Sequence, residues 1–189
     1  SNVVNAYNTS LTRSTPTALS SARESLAGAS VGNYALFAGG YGSSGTSDVV
    51  NAYNTSLTRS TITPLSAARR YLAGASVRNY ALFAGGREGG AVVDAYDTSL
   101  TRSTPTALSV ARYDLAGASV GNYALFAGGR TSALNASSAV NAYNTSLTRS
   151  TPTALSSARS SLAGASVGDY ALFAGGYTSG SNPTNAVDA

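Results

Sequence analysis

Leu26-Ala27-Gly28-Ala29-Ser30-Val31-Gly32-Asn33-Tyr34-Ala35-Leu36-Phe37-Ala38-Gly39-Gly40 reads as two short strands joined by a tight turn. Six small or aliphatic residues lead into Gly32-Asn33. An apolar, aromatic run follows and ends on a glycine pair. Glycine and asparagine both tolerate positive φ, so a two-residue link between such runs is a hairpin turn. The stretch begins again at Leu72, Leu115 and Leu162, with turns at Gly121-Asn122 and Gly168-Asp169. Arg78-Asn79 is the poor copy, because an L side chain is strained at positive φ.

The flanking sequence repeats in step. Asn-Ala-Tyr-Asn-Thr-Ser-Leu-Thr-Arg-Ser-Thr starts at Asn5, Asn51 and Asn141, with an aspartate variant at Asp94. Its tyrosines, Tyr7, Tyr53, Tyr96 and Tyr143, stand 46, 43 and 47 residues apart. Four copies of one unit fill residues 1–189 as a single domain. Each copy reads as four strands: a (26–31), b (34–38), c (3–7) and d (11 to about 17) in first-copy numbers. An Asn-Thr-Ser corner separates c from d, because Asn and Ser side chains bond nearby backbone groups. Long apolar stretches with a 3.6-residue period and caps are absent, so helices are not expected. Tandem four-stranded units of this length predict an all-β fold, a β-propeller of four four-stranded antiparallel blades. Strand a carries little but Ala, Gly and Ser after its leucine, which suits a crowded axis. Strand d carries Arg and Pro, which protect an exposed edge.

The chain starts in strand c, so the ring is expected to close with N- and C-terminal strands in one blade. Val3–Tyr7 and Asn185–Ala189 compete for one slot there. The N-terminal strand is expected to win, because it continues into strand d.

Composition removes much chemistry. The chain has no Cys, His, Met or Trp, and all 12 of its basic residues are arginine. Disulfides, zinc-finger spacing and His-based triads are therefore excluded. No cofactor and no metal site is expected. A net charge of +4 without like-charge runs gives no sign of nucleic-acid binding. Nothing approaches the ~18 apolar residues of a membrane span. The first residue is not Met, and the chain reads as a mature or excised piece.

Arg-x-x-Leu-Ala-Gly, a hairpin, Tyr-Ala-Leu-Phe-Ala-Gly-Gly and then Val-x-Ala-Tyr together resemble kelch repeats, in all four units. The tryptophan of the kelch pattern after the second Tyr is missing here, and the corner is shortened. Kelch propellers usually close with six or seven blades. A four-bladed monomer, an eight-bladed homodimer and a slice of a longer array all stay open. The resemblance implies a protein-binding scaffold. The family's copper-radical oxidases need histidine, which this chain lacks. Its sialic-acid epimerase relatives use Arg and acids.

The four copies differ in two places: the link from d to a and the loop from b to c. In an up-and-down blade both emerge on the same side. Binding residues usually sit on such loops. Arg23, Arg69, Arg112 and Arg159 recur once per copy and are expected to ring the mouth of the axis, favouring an anionic group. The same arginines have a structural reading, as caps on carbonyls at blade junctions. Arg87 and Arg130 add charge. Tyr41, Tyr71, Tyr113 and Tyr177 add aromatic area, and Tyr with Arg is the usual composition of binding hot spots. The expectation is a non-catalytic module that binds a protein or glycan, secreted or on a cell or virion surface. The alternatives are an enzyme acting on an acidic sugar, with Glu24 or Asp114 as base, and a structural segment that assembles with other copies.

Overall fold

A computed structural model describes residues 1–132, 134–179 and 182–189. These residues contain strands and turns and no helix. An N-terminal hairpin pairs β1 (Ala6–Tyr7) with β2 (Arg13–Ser14). The first sheet then comprises β3 (Ala27–Val31) and β4 (Tyr34–Ala38). A small hairpin, β5 (Tyr41–Gly42) with β6 (Gly45–Thr46), leads on to β7 (Val50–Tyr53) and β8 (Arg59–Ile62). The second sheet is β9 (Ala73–Val77), β10 (Tyr80–Ala84), β11 (Val93–Asp97) and β12 (Arg102–Ser103). The third is β13 (Ala116–Val120), β14 (Tyr123–Ala127), β15 (Val140–Asn144) and β16 (Arg149–Ser150). The fourth has three strands: β17 (Ala163–Val167), β18 (Tyr170–Ala174) and β19 (Val187–Asp188). All are antiparallel and run a-b-c-d from one edge, so each full sheet takes c and d from the next copy of the repeat.

The turns form where the sequence allows positive φ. Gly32, Gly121 and Gly168 have φ of 51°, 50° and 53°, and Arg78 is forced to 41°. In the corners, the Asn8, Asn54, Asp97 and Asn144 side chains each accept from the backbone N–H two and four residues on. Those oxygens hold Leu11, Leu57, Leu100 and Leu147 in the left-handed region.

The sheets pack through their a strands, in the order β3, β9, β13, β17. Contact is so close that a Cβ on Gly74 would overlap the Gly28 carbonyl. Gly117 meets Gly74, and Gly164 meets Gly117, in the same way. A serine ladder crosses the seam: the Ser76, Ser119 and Ser166 hydroxyls donate to the Ser30, Ser76 and Ser119 carbonyls. An apolar core fills each gap between sheets. The first holds Leu36, Val50, Phe83 and Tyr96, and the second Leu82, Val93, Phe126 and Tyr143.

The expected clasp of terminal strands is not what the described residues form. β19 takes the c position on β18, through Phe173↔Asp188 and Ala174↔Val187. The N-terminal hairpin stays apart as its own sheet, tied to the first link by Leu19 N–H to Asn2 O and Arg23 N–H to Ser1 O. In that slot Asp188 accepts from the Arg159 guanidinium, as Asp94 does from Arg69. β17 is exposed along its length, and the atoms nearest a Cβ built on Gly28 belong to its own sheet.

Candidate ligand-binding face

The repeated arginines are spent inside the fold. Arg23, Arg69, Arg112 and Arg159 are buried, with at most 5% of each exposed. Arg69 donates to Asp94 and to the Phe83 carbonyl. Arg112 donates to Asn141 and to three backbone carbonyls. Arg159 repeats this with Asp188, and Arg23 uses Asn51 and the Val49 carbonyl. Burial pushes the Arg112 guanidinium down to about 10, still a cation at neutral pH. These four therefore pin link to strand and do not ring an open mouth. Their partners, Asn51, Asp94, Asn141 and Asp188, escaped the sequence reading. The signal was present: an Asn or Asp recurs two residues before each c-strand tyrosine position. Asp94 and Asp97, three positions apart, have separate roles: one serves Arg69 and the other a corner.

The variable residues meet one another. Glu24 bridges to Tyr41, Arg70 to Arg87, Tyr113 to Arg130 and Ser160 to Tyr177, so the link and the loop touch at four equivalent places. The next link residue, Ser25, Tyr71, Asp114 or Ser161, has φ between 53° and 56°. Nothing in these four side chains announces that conformation. In the last three the N–H reaches the preceding sheet's link: Tyr71 to Ser25, Asp114 to Tyr71 and Ser161 to Asp114, all at 2.9 Å. A groove of about 240 Å³ runs along this ladder, between these residues and the leucines that follow them. Burial raises the Asp114 carboxyl above its ordinary value, against the pull of Arg130 and Arg87.

Beside the groove, aromatic rings and guanidinium groups stack. Arg70 lies over Tyr41 at 4.6 Å and over Tyr71 at 5.5 Å. Tyr71 and Tyr113 are 6.5 Å apart, and Arg87 lies 5.8 Å from the Tyr113 ring. Glu88 sits 3.5 Å from Arg70 and 3.9 Å from Arg87. Tyr41, Tyr71, Tyr113 and Arg87 thus come together, joined by Arg70, which the sequence also places on the variable face. Arg130 and Tyr177 form a separate group around Ser160. A second cavity, of about 350 Å³, opens between Arg87, Tyr113 and Leu134. Among the described residues there is no cluster of three potential metal ligands.

No family model matches this chain, and no curated protein resembles it.

Proposed function

We propose that the chain is a kelch-like, propeller-type binding module that holds a protein or glycan against the Tyr41–Arg70–Tyr71–Tyr113–Arg87 strip, without catalysis. The strip itself carries the reading. Tyrosine presents a large, rigid and amphipathic surface, and stacked arginine keeps its donors in a plane for carboxylates, sulfates or sugar hydroxyls. Both are held on a frame whose sheets are nearly identical, while the strip residues change from sheet to sheet. The kelch-like reading draws support from the inner seam of small residues and from the glycine pair after each b strand. A charge-poor surface rich in Ser and Thr fits display on a cell or virion surface.

The test is a glycan-array and surface-proteome screen with the 189-residue chain, followed by titration of each ligand found. Tyr71→Ala with Tyr113→Ala should weaken binding by at least tenfold, about 1.4 kcal/mol. Arg87→Ala should weaken anionic ligands more than neutral ones. Binding that survives all three substitutions would remove this face from consideration.

A further inference from the structure

One edge strand outruns its three sisters. The d strand has two residues in β2, β12 and β16, but four in β8, Arg59–Ile62. A single position accounts for this. Pro16, Pro105 and Pro152 stand where the second repeat has Ile62, and the proline of that repeat is moved on to Pro64. Proline has no N–H to give the c strand, so the ladder ends there. Ile62 restores the donor, and Asn51↔Thr61 and Val50↔Ile62 join the register. We propose that this unguarded edge pairs with the same strand of a second molecule of this chain, so that two molecules share one continuous antiparallel sheet.

Backbone direction selects the register. Asn54 N–H donates to the Thr58 carbonyl at 3.2 Å where the c–d corner closes. Bonded and unbonded pairs alternate from there along an antiparallel ladder. Ser60 and Ile62 therefore turn their backbone groups towards β7, and Arg59 and Thr61 turn theirs outward. β8 is the last strand of its sheet, and among the described residues no other strand pairs with that edge. Thr63 comes next in the outward phase, but its carbonyl already accepts from the Tyr96 hydroxyl at 2.9 Å, and Pro64 follows. The usable edge is thus Arg59 to Thr61, symmetric about Ser60.

That symmetry points to a second molecule as the occupant. A two-fold axis at Ser60 sets Arg59 against the partner's Thr61 and Thr61 against the partner's Arg59. Each of these residues then exchanges both of its backbone bonds. Ile62 faces the partner's Thr58, a β-branched cross-strand pair. No like charges meet, and the Arg59 guanidinium is held away on the Ala18 carbonyl at 3.0 Å. Ser60 and Thr61 are both exposed, and neither carries the charge that commonly guards an edge. A contact of this kind uses the same patch on both molecules, so it closes at a dimer.

Sedimentation over a concentration series tests this with the 189-residue chain. Wild type should reach dimers and no larger species. Ile62→Pro combined with Pro64→Ala gives the second repeat its sisters' sequence, so the fold should stand while dimerisation weakens by roughly tenfold or more. The register has its own test, because the chain has no cysteine. Ser60→Cys would place two thiols at an unbonded antiparallel pair with Cα atoms about 4.5 Å apart, within disulfide reach. Mild oxidation should convert this variant to covalent dimers. Ser103→Cys, the same position in the second sheet, lies behind Pro105 and should cross-link far less. A wild type that stays monomeric at every concentration overturns the proposal. So does a dimer that the double variant leaves untouched, and so does equal cross-linking at the two serines. Protection of the Arg59 and Thr61 amides from exchange only when a different protein is added would give the edge to a foreign strand and overturn the dimer. None of these positions belongs to the Tyr–Arg strip, so failure here leaves the binding reading standing, and the reverse.

Discussion

The Arg69 guanidinium lies 2.7 Å from the Asp94 carboxylate, and neither side chain is exposed to solvent. Ser66 N–H and hydroxyl also donate to the carboxylate, and Arg102 lies 3.7 Å from its other oxygen. Two sister junctions manage with asparagine in its place, which sets up a graded test. Asp94→Ala strands a buried cation and should cost about 3–5 kcal/mol. Asp94→Asn keeps an acceptor and should cost less than about 1.5 kcal/mol. Urea unfolding of the two variants measures the difference.

Gly74 and Gly28 hold the same position in consecutive repeats but have different neighbours. Gly74→Ala drives a methyl into the Gly28 carbonyl and should destabilise by about 1–3 kcal/mol. At Gly28 the closest atoms to a new methyl are on Phe37, at 3.6 Å, an ordinary contact. Gly28→Ala should therefore shift stability by less than about 1 kcal/mol in dilute solution. Equal damage at both sites would mean that the inner strands close into a ring within one molecule.

Arg78 occupies a turn position where the other three hairpins use glycine. Its Nε–H donates to Asn122 Oδ1 at 2.8 Å on the exposed surface, which contributes little. Arg78→Gly should raise stability by about 1 kcal/mol through relief of the left-handed strain. Thermal unfolding at matched concentration reads the gain.

Tyr96 carries the pH prediction. Burial raises its phenol well above the ordinary value of 10.0, with help from Asp94 and against Arg102 and Arg69. The unfolded chain therefore loses this proton first as pH climbs. The stability that Tyr96 provides is complete below pH 10 and drains away above it. Tyr96→Phe gives up the bond to the Thr63 carbonyl, at a cost of about 1 kcal/mol at neutral pH. The gap between wild type and Tyr96→Phe should narrow above pH 10 and then change sign. A gap that is constant with pH would contradict the buried phenol.

Sequence alone reached the repeat, the hairpins and the Asn corners because each rests on residues acting over two to four positions. It also reached the strain at Arg78 and the meeting of variable links with variable loops. What it left open depends on distant partners. Arginine spaced once per repeat looks the same whether it faces a ligand or an asparagine 28 residues later. Only burial separates these, and Arg23, Arg69, Arg112 and Arg159 are buried. The left-handed residues Ser25, Tyr71, Asp114 and Ser161 carry no local mark; the bonds that link them run from sheet to sheet. The contest between Val3–Tyr7 and β19 went to the shorter strand, whose Asp188 meets Arg159, a contact between residues 29 positions apart.

The serine ladder and the glycine seam use backbone atoms and the smallest side chains, so they are indifferent to what the loops display. Unequal recombination that inserts or deletes one whole period would recreate the same seam at the new boundary. The architecture is thus a frame whose size and whose presented residues can evolve separately, each without the other having to be rebuilt.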